Sequence, residues 1–158
     1  MSRIASNSLL QLSVMDRLVA GATGTRSGGA TMSELKKAVE RDLHELLNTR
    51  WRCTSWPPNL KEIENSLVNY GIPDITGGDF STSEKRREFR AVIERCIKRF
   101  EPRFKSVRVE LVDENAMDRV IRFRIDAKLF TEPVPETVVF DTALEPTTAE
   151  FEVRRAER

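Results

Sequence analysis

Histidine is almost missing from this chain: His44 is the single one in 158 residues. Cysteine is scarce too, with Cys53 and Cys96 far apart. One imidazole and two separated thiols do not make the usual nitrogen and sulfur metal site, so no metal or cofactor is expected. No Gly-x-Ser-x-Gly elbow is present, and His44 adjoins no serine or cysteine motif, so a helix-surface role is expected for it. The glycines of 24–29 are followed by no Lys-Ser or Lys-Thr pair, which excludes a phosphate loop. No apolar run is long enough to suggest a secretory signal or a membrane span. With a bacterial host, the cytoplasm follows, and the thiols are expected free and reduced. Net charge is only +1, so the chain as a whole has no electrostatic pull toward nucleic acid or membrane.

What is present is a core-forming composition, 39% hydrophobic and 32% charged, at a length that suits one domain. Residues 1–30 stand apart. Leu9, Leu10, Leu12, Val14, Met15, Leu18 and Val19 form a short amphipathic peptide, and the Gly-rich stretch 21–29 ties it to the remainder as a flexible linker. Such a peptide either folds back on its own domain or docks on a partner. The single domain is then 31–158.

A helix is expected from Thr31, where Thr31 and Glu34 form a capping box. It buries Leu35, Ala38, Val39, Leu43, Leu46 and Leu47 and ends at Asn48–Arg50. Pro57 and Pro58 block continuation. A second, shorter helix is predicted from Asn59, with Leu60, Ile63, Leu67 and Val68 inward and Gly71 as its stop. A third begins with a capping box at Ser81–Glu84. Its stripe of Phe89, Val92, Ile93, Cys96, Ile97 and Phe100 follows the helical period, its other face is basic, and Pro102 stops it. The period then changes to two. Val107, Val109 and Leu111, then Ile121, Phe123, Ile125, Ala127 and Leu129, alternate with charged residues, which predicts an antiparallel hairpin with a turn at Asp113–Asp118. A short strand at Thr137–Phe140 and a last one at Ala149–Val153 complete an α+β fold: helices in the N-terminal half on a small, mostly antiparallel sheet from the C-terminal half.

Two functional alternatives stay open on residues alone. A glycoside hydrolase uses a carboxylate pair about 5–10 Å apart, and Glu101, Asp74 and Asp79 are candidates, but with 25 acidic residues such pairs are common on any surface. Residues 85–108 hold ten Lys or Arg against three Glu, a basic face suited to nucleic acid or to an acidic protein. The interleaved aromatics that stack bases are missing there. Phe100-Glu101-Pro102-Arg103 is the remaining feature. It joins the third helix to the first strand, Pro102 stiffens it, and Arg103 supplies a planar fork for carboxylates or carbonyls. It reads either as a polar hook for a partner or as a helix stop with a local ion pair.

Four segments in register carry a resemblance: Leu46-Leu47-Asn48-Thr49-Arg50, Ser66 through Asp74, Phe100-Glu101-Pro102-Arg103, and Phe140-Asp141-Thr142. Together they resemble the TssE family, the small baseplate wedge subunit of the bacterial type VI secretion system. That family is similar to the baseplate wedge protein of contractile phage tails and once carried a lysozyme-like label. Val14 through Leu18 resembles its N-terminal leucine motif. Arg50 to Pro58 and the glycine linker depart from it. The resemblance implies an α+β fold and no catalytic residue. It implies docking on the TssF and TssG wedge core through Glu101, Pro102 and Arg103, in one assembly with TssK. A role in starting the TssB–TssC sheath by strand exchange also follows from it.

Overall fold

The computed structural model describes residues 14–22, 31–51, 66–75, 82–112, 120–131 and 134–156, with Phe80 and single positions between 55 and 63. Its elements are α1 (Val14–Ala22), α2 (Met32–Asn48), a 3-10 turn at Leu67–Asn69, α3 (Ser83–Phe100), β1 (Phe104–Leu111), β2 (Ile121–Leu129), β3 (Glu136–Glu145) and β4 (Glu150–Arg155). Helices therefore fill the N-terminal half and strands the C-terminal half, an α+β fold. The four strands form one antiparallel meander in the order β1-β2-β3-β4. Segments 1–13 and 113–119, and Cys53 and Asp79, lie outside the described residues.

α2 starts as its sequence predicts. Thr31 accepts from the Glu34 N–H, and Glu34 accepts from the Thr31 N–H at 2.8 Å. The six apolar residues expected inside are buried. α3 is capped by Thr82, which accepts from the Lys85 N–H, one residue later than the Ser81–Glu84 box expected; Ser81 lies outside the described residues. It buries Phe89, Ile93, Cys96 and Ile97, with Phe100 packed at the margin of the core. Arg86, expected on the basic outer face, is buried and donates to the Phe80 carbonyl at 2.7 Å. A buried guanidinium persists only where such a partner satisfies it.

The sheet turns one face to the helices. Val107, Ala127 and Val138 form one row of that face, and Val109, Ile125 and Phe140 the next. α3 packs along β1 and α2 along β4. Phe89 joins the layers, its ring 6.0 Å from Phe123 and 6.3 Å from Phe151. The opposite face carries charges, including an Arg124–Asp141 cross-strand pair at 3.1 Å, as a half-solvated antiparallel sheet should.

β1 and β4 are the terminal strands, and helix side chains seal parts of both. At β1, Glu94 accepts from the Val109 N–H at 3.2 Å and Arg90 donates to the Val109 carbonyl at 3.0 Å. At β4, the Asn48 amide takes the place of a strand. It accepts from the Phe151 N–H at 2.8 Å and donates to the Phe151 carbonyl at 2.9 Å, while Glu40 accepts from the Arg155 N–H. Capping of this kind suppresses unwanted edge pairing.

Three expectations need correction. The predicted second helix is short 3-10 turns where described, at 62–63 and at Leu67–Asn69, and three of its four apolar residues are not inward: Leu67 is 86% exposed, Leu60 and Val68 are exposed as well, and Ile63 is half-buried. Such short turns have no continuous face to bury, and Asn69 goes inside instead, donating to the Ile63 carbonyl at 2.9 Å. β3 is longer than the expected Thr137–Phe140, because its inward alternation continues through Thr142 and Leu144. Ala149 belongs to the β3–β4 turn, in the left-handed region at φ 57°.

Gly71 holds the crossing between the α2 exit and α3. Its φ is +108°, and a Cβ there would sit 2.3 Å from the Thr49 carbonyl oxygen. That closeness lets Ile72 donate to Thr49 at 2.9 Å and form a parallel bridge with Arg50. Gly71→Ala is expected to lower stability by at least about 2 kcal/mol, from strain at a positive φ plus the backbone clash, measured by urea unfolding. Thr142, on the inner face beside Phe123, has a buried hydroxyl without a hydrogen-bond partner. Thr142→Val is expected to raise stability by about 1 kcal/mol in the same assay, because an unsatisfied polar atom leaves the core.

Candidate functional site: a braced turn between α3 and β1

The chain leaves α3 with the Glu101 N–H still bonded to the Ile97 carbonyl at 2.9 Å. Pro102 has no N–H to continue the helix, and Phe104 donates back to the Glu101 carbonyl at 3.2 Å. The turn is thus tight, as its sequence implies. Its charges face one another. Arg103 Nε donates to Glu101 Oε1 at 2.6 Å, and Nη2 donates to Glu101 Oε2, giving a bidentate pair. The Arg103 backbone N–H also reaches Glu101 Oε1 at 3.2 Å.

α2 supplies a third member. Arg103 Nη2 lies 2.7 Å from Asp42 Oδ2. Asp42 in turn accepts from Arg41, which reaches Asp16 of α1 at 2.9 Å. A chain of alternating charge therefore runs from α1 through α2 to the turn. Glu101 is 5% exposed, and the Arg103 and Asp42 side chains are 17% and 20% exposed. Burial opposes the charge on Arg103. The hydrogen bonds and charges of Glu101 and Asp42 outweigh it and hold the guanidinium above its usual range. Hydrogen bonds that Arg41 donates to Asp16 and Asp42 do the same for Arg41. Tyr70, whose ring meets Phe100 edge-on at 5.4 Å, is raised by burial first and then by the carboxylates of Glu45, Asp42 and Glu101.

The three site residues predicted from sequence are consecutive, and the structure places them together at one end of the sheet. Pro102 is exposed there, while Glu101 is inside. Sequence reasoning missed Asp42. It lies 61 positions before Arg103, beyond any local spacing rule, and on α2 it reads as one more surface carboxylate. Some residues in and beside the other recognised segments have internal duties. Asn48 seals β4, Arg50 donates to the Leu47 carbonyl at 2.8 Å and to the Ala149 carbonyl, and Trp51 donates to the Gly71 carbonyl. Cys96 is buried, bonded to the Gly71 carbonyl at 3.0 Å, and burial pushes its thiol up to about 12, which leaves it protonated and inert.

Of the carboxylates considered for hydrolysis, Glu101 and Asp74 are described. Glu101 is locked to Arg103, and Asp74 is exposed on the loop after Gly71. His44 is exposed on α2 beside Asn48. Among the described residues, no three His, Cys, Asp or Glu side chains cluster as metal ligands, and no helix is long and apolar enough to cross a membrane.

The fold is a small α+β domain, and the candidate site is a braced turn at one end of its sheet. Residues 33–134 match the family model of the baseplate wedge protein gp25, well over half of the chain, and the chain belongs to that family. It is a family of structural baseplate components. No curated protein and no solved structure matches the chain.

Glu101→Ala is expected to lower stability by about 2–3 kcal/mol in urea unfolding, because Arg103 loses its bidentate partner in a mostly buried setting.

Proposed function

We propose that this chain is a baseplate wedge subunit of a type VI secretion system. It docks on the TssF–TssG wedge core through the Glu101–Pro102–Arg103 turn, in the same cytoplasmic assembly as TssK. The observation that carries the reading is the bracing of this turn from two directions, by its own Glu101 and by Asp42 of α2. Preorganisation of this kind is what a docking element needs, because less ordering entropy is lost on binding. Membership of the baseplate wedge family supports the same role.

The subunit would also help start the TssB–TssC sheath by taking up a sheath strand at a sheet edge. β1 and β4 are the two candidates, and each is capped by side chains rather than by backbone. Strand uptake would require those side chains to swing away. Neither nucleic acid nor a membrane has a part in this mechanism, and the reading assigns no catalysis.

Co-expression with the wedge core followed by pull-down tests the docking. The unaltered chain is expected to be retained. Changing Glu101 and Arg103 together to Ala is expected to abolish retention and secretion. Retention and secretion at the unaltered level in that variant would refute the assignment of the turn.

A further inference from the structure

β4 stops short of its neighbour. Its last bond to β3 joins the Ala156 N–H to the Val139 carbonyl at 2.9 Å, while β3 begins earlier, at Glu136. α2 runs along β4 in the opposite direction, since Asn48 meets Phe151 and Glu40 meets Arg155. Its first turns therefore overhang the end of β4 and stand beside the start of β3, where Lys36 reaches Glu136 at 2.7 Å. Between them lies a cavity of about 560 Å³, with Met32, Lys36, Thr137, Val138 and Arg155 in its lining. That volume is ordinary for a ligand site.

The cavity holds an unfinished strand position. Backbone groups alternate in direction along a strand. Val139 gives its carbonyl to β4, so Thr137, two residues before it, turns its N–H and carbonyl the same way. Among the described residues, the β3–β4 ladder does not reach Thr137, and no side chain caps it. Val109 and Phe151 differ, because Arg90 and Glu94 cap the first and Asn48 the second. The lining also carries a spare cation. Lys36 is paired with Glu136, whereas the half-buried Arg155 guanidinium has no ion pair among the described residues.

We propose that this cavity receives an extended, carboxylate-bearing segment of a sheath subunit. The segment continues the line of β4, pairing its backbone with Thr137 and its carboxylate with Arg155. This rests on the strand-uptake reading above and gives the strand a place. No capping side chain has to move for it. One strand residue offers a single N–H and a single carbonyl, too little to select a partner, so selection falls to charge. A basic or neutral segment would leave Arg155 covered and unpaired, whereas an acidic one forms a charge-assisted pair with its planar fork.

The test is retention of purified TssB–TssC sheath subunits by the full chain, with wedge-core retention and melting temperature followed in parallel. Arg155→Glu is expected to weaken sheath retention by about tenfold or more and to leave wedge-core retention and melting temperature unchanged. Arg155→Lys, which keeps the charge, is expected to lose less. In hydrogen exchange on the unaltered chain, which depends on no variant folding, sheath subunits are expected to slow the Thr137 amide and leave Val109 and Phe151 as they were. Full sheath retention in Arg155→Glu would overturn the proposal, as would protection of Val109 or Phe151 in place of Thr137. Residues 157 and 158 lie outside the described residues. A chain ending at Ala156 is expected to retain the sheath subunits at least as well, and loss of retention there would overturn the proposal by assigning the contact to those two residues. Failure of the unaltered chain to retain sheath subunits while it still binds the wedge core would instead remove the strand-uptake reading, and this inference with it.

Discussion

Arg103 is the hinge pin of the molecule. Its guanidinium joins the end of α3, the start of β1 and the middle of α2 through Glu101 and Asp42. A planar fork with several fixed donors can satisfy two carboxylates at once, which an ammonium group would do poorly. The same residue offers its carbonyl to Phe130, so the start of β1 and the end of β2 are set by one side chain's pairing. Helix layer and sheet thus meet at this ionic cluster, and again at the Lys36–Glu136 pair between α2 and β3. The cost of taking these charges out of water is offset only while all three members remain together.

The rest of the core depends less on specific partners. Phe89, Phe123 and Phe151 interlock across α3, β2 and β4 at ring separations near 6 Å. Such burial is tolerant of shape changes and directs no particular geometry at the surface. What directs geometry is the polar set at the edges of the core. Asn48 imitates a strand for Phe151, and Arg50 ties the α2 exit to the β3–β4 turn. Arg90 and Glu94 close β1 at Val109. At Glu94, burial pushes the carboxyl up, but hydrogen bonds from Lys98 and the Val109 N–H, with the charges of Lys98 and Arg90, hold it below the usual carboxylate range. The group therefore stays ionised and keeps this edge shut until the solution becomes distinctly acid. Side-chain caps of this kind keep a sheet edge from unwanted pairing.

Much of this was legible in the sequence. The α2 and α3 stripes and the period-two runs of β1 and β2 followed directly from residue spacing, because burial on one face is what those periods encode. The Thr31–Glu34 box followed from local hydrogen-bonding chemistry. The segment 57–70 was not legible. Its leucines and valine imitate a helical face, but Asn69 and the left-handed Gly71 decide the path. The candidate turn was located correctly between α3 and β1, whereas the inward direction of its charges was not visible. That direction depends on Asp42, whose contact with Arg103 exists only once α2 is packed against the sheet. Long-range polar pairs of this kind leave no periodic trace.

The account turns on whether the braced end is where the subunit meets its wedge. Amide hydrogen exchange, compared between the isolated chain and its complex with the wedge core, measures this directly. Slowed exchange on complex formation at Arg103–Phe104 and Phe130–Thr131, with no change along the exposed basic face of α3, is the predicted result. Protection confined to that basic face, with the turn exchanging as it does in the free chain, would contradict it.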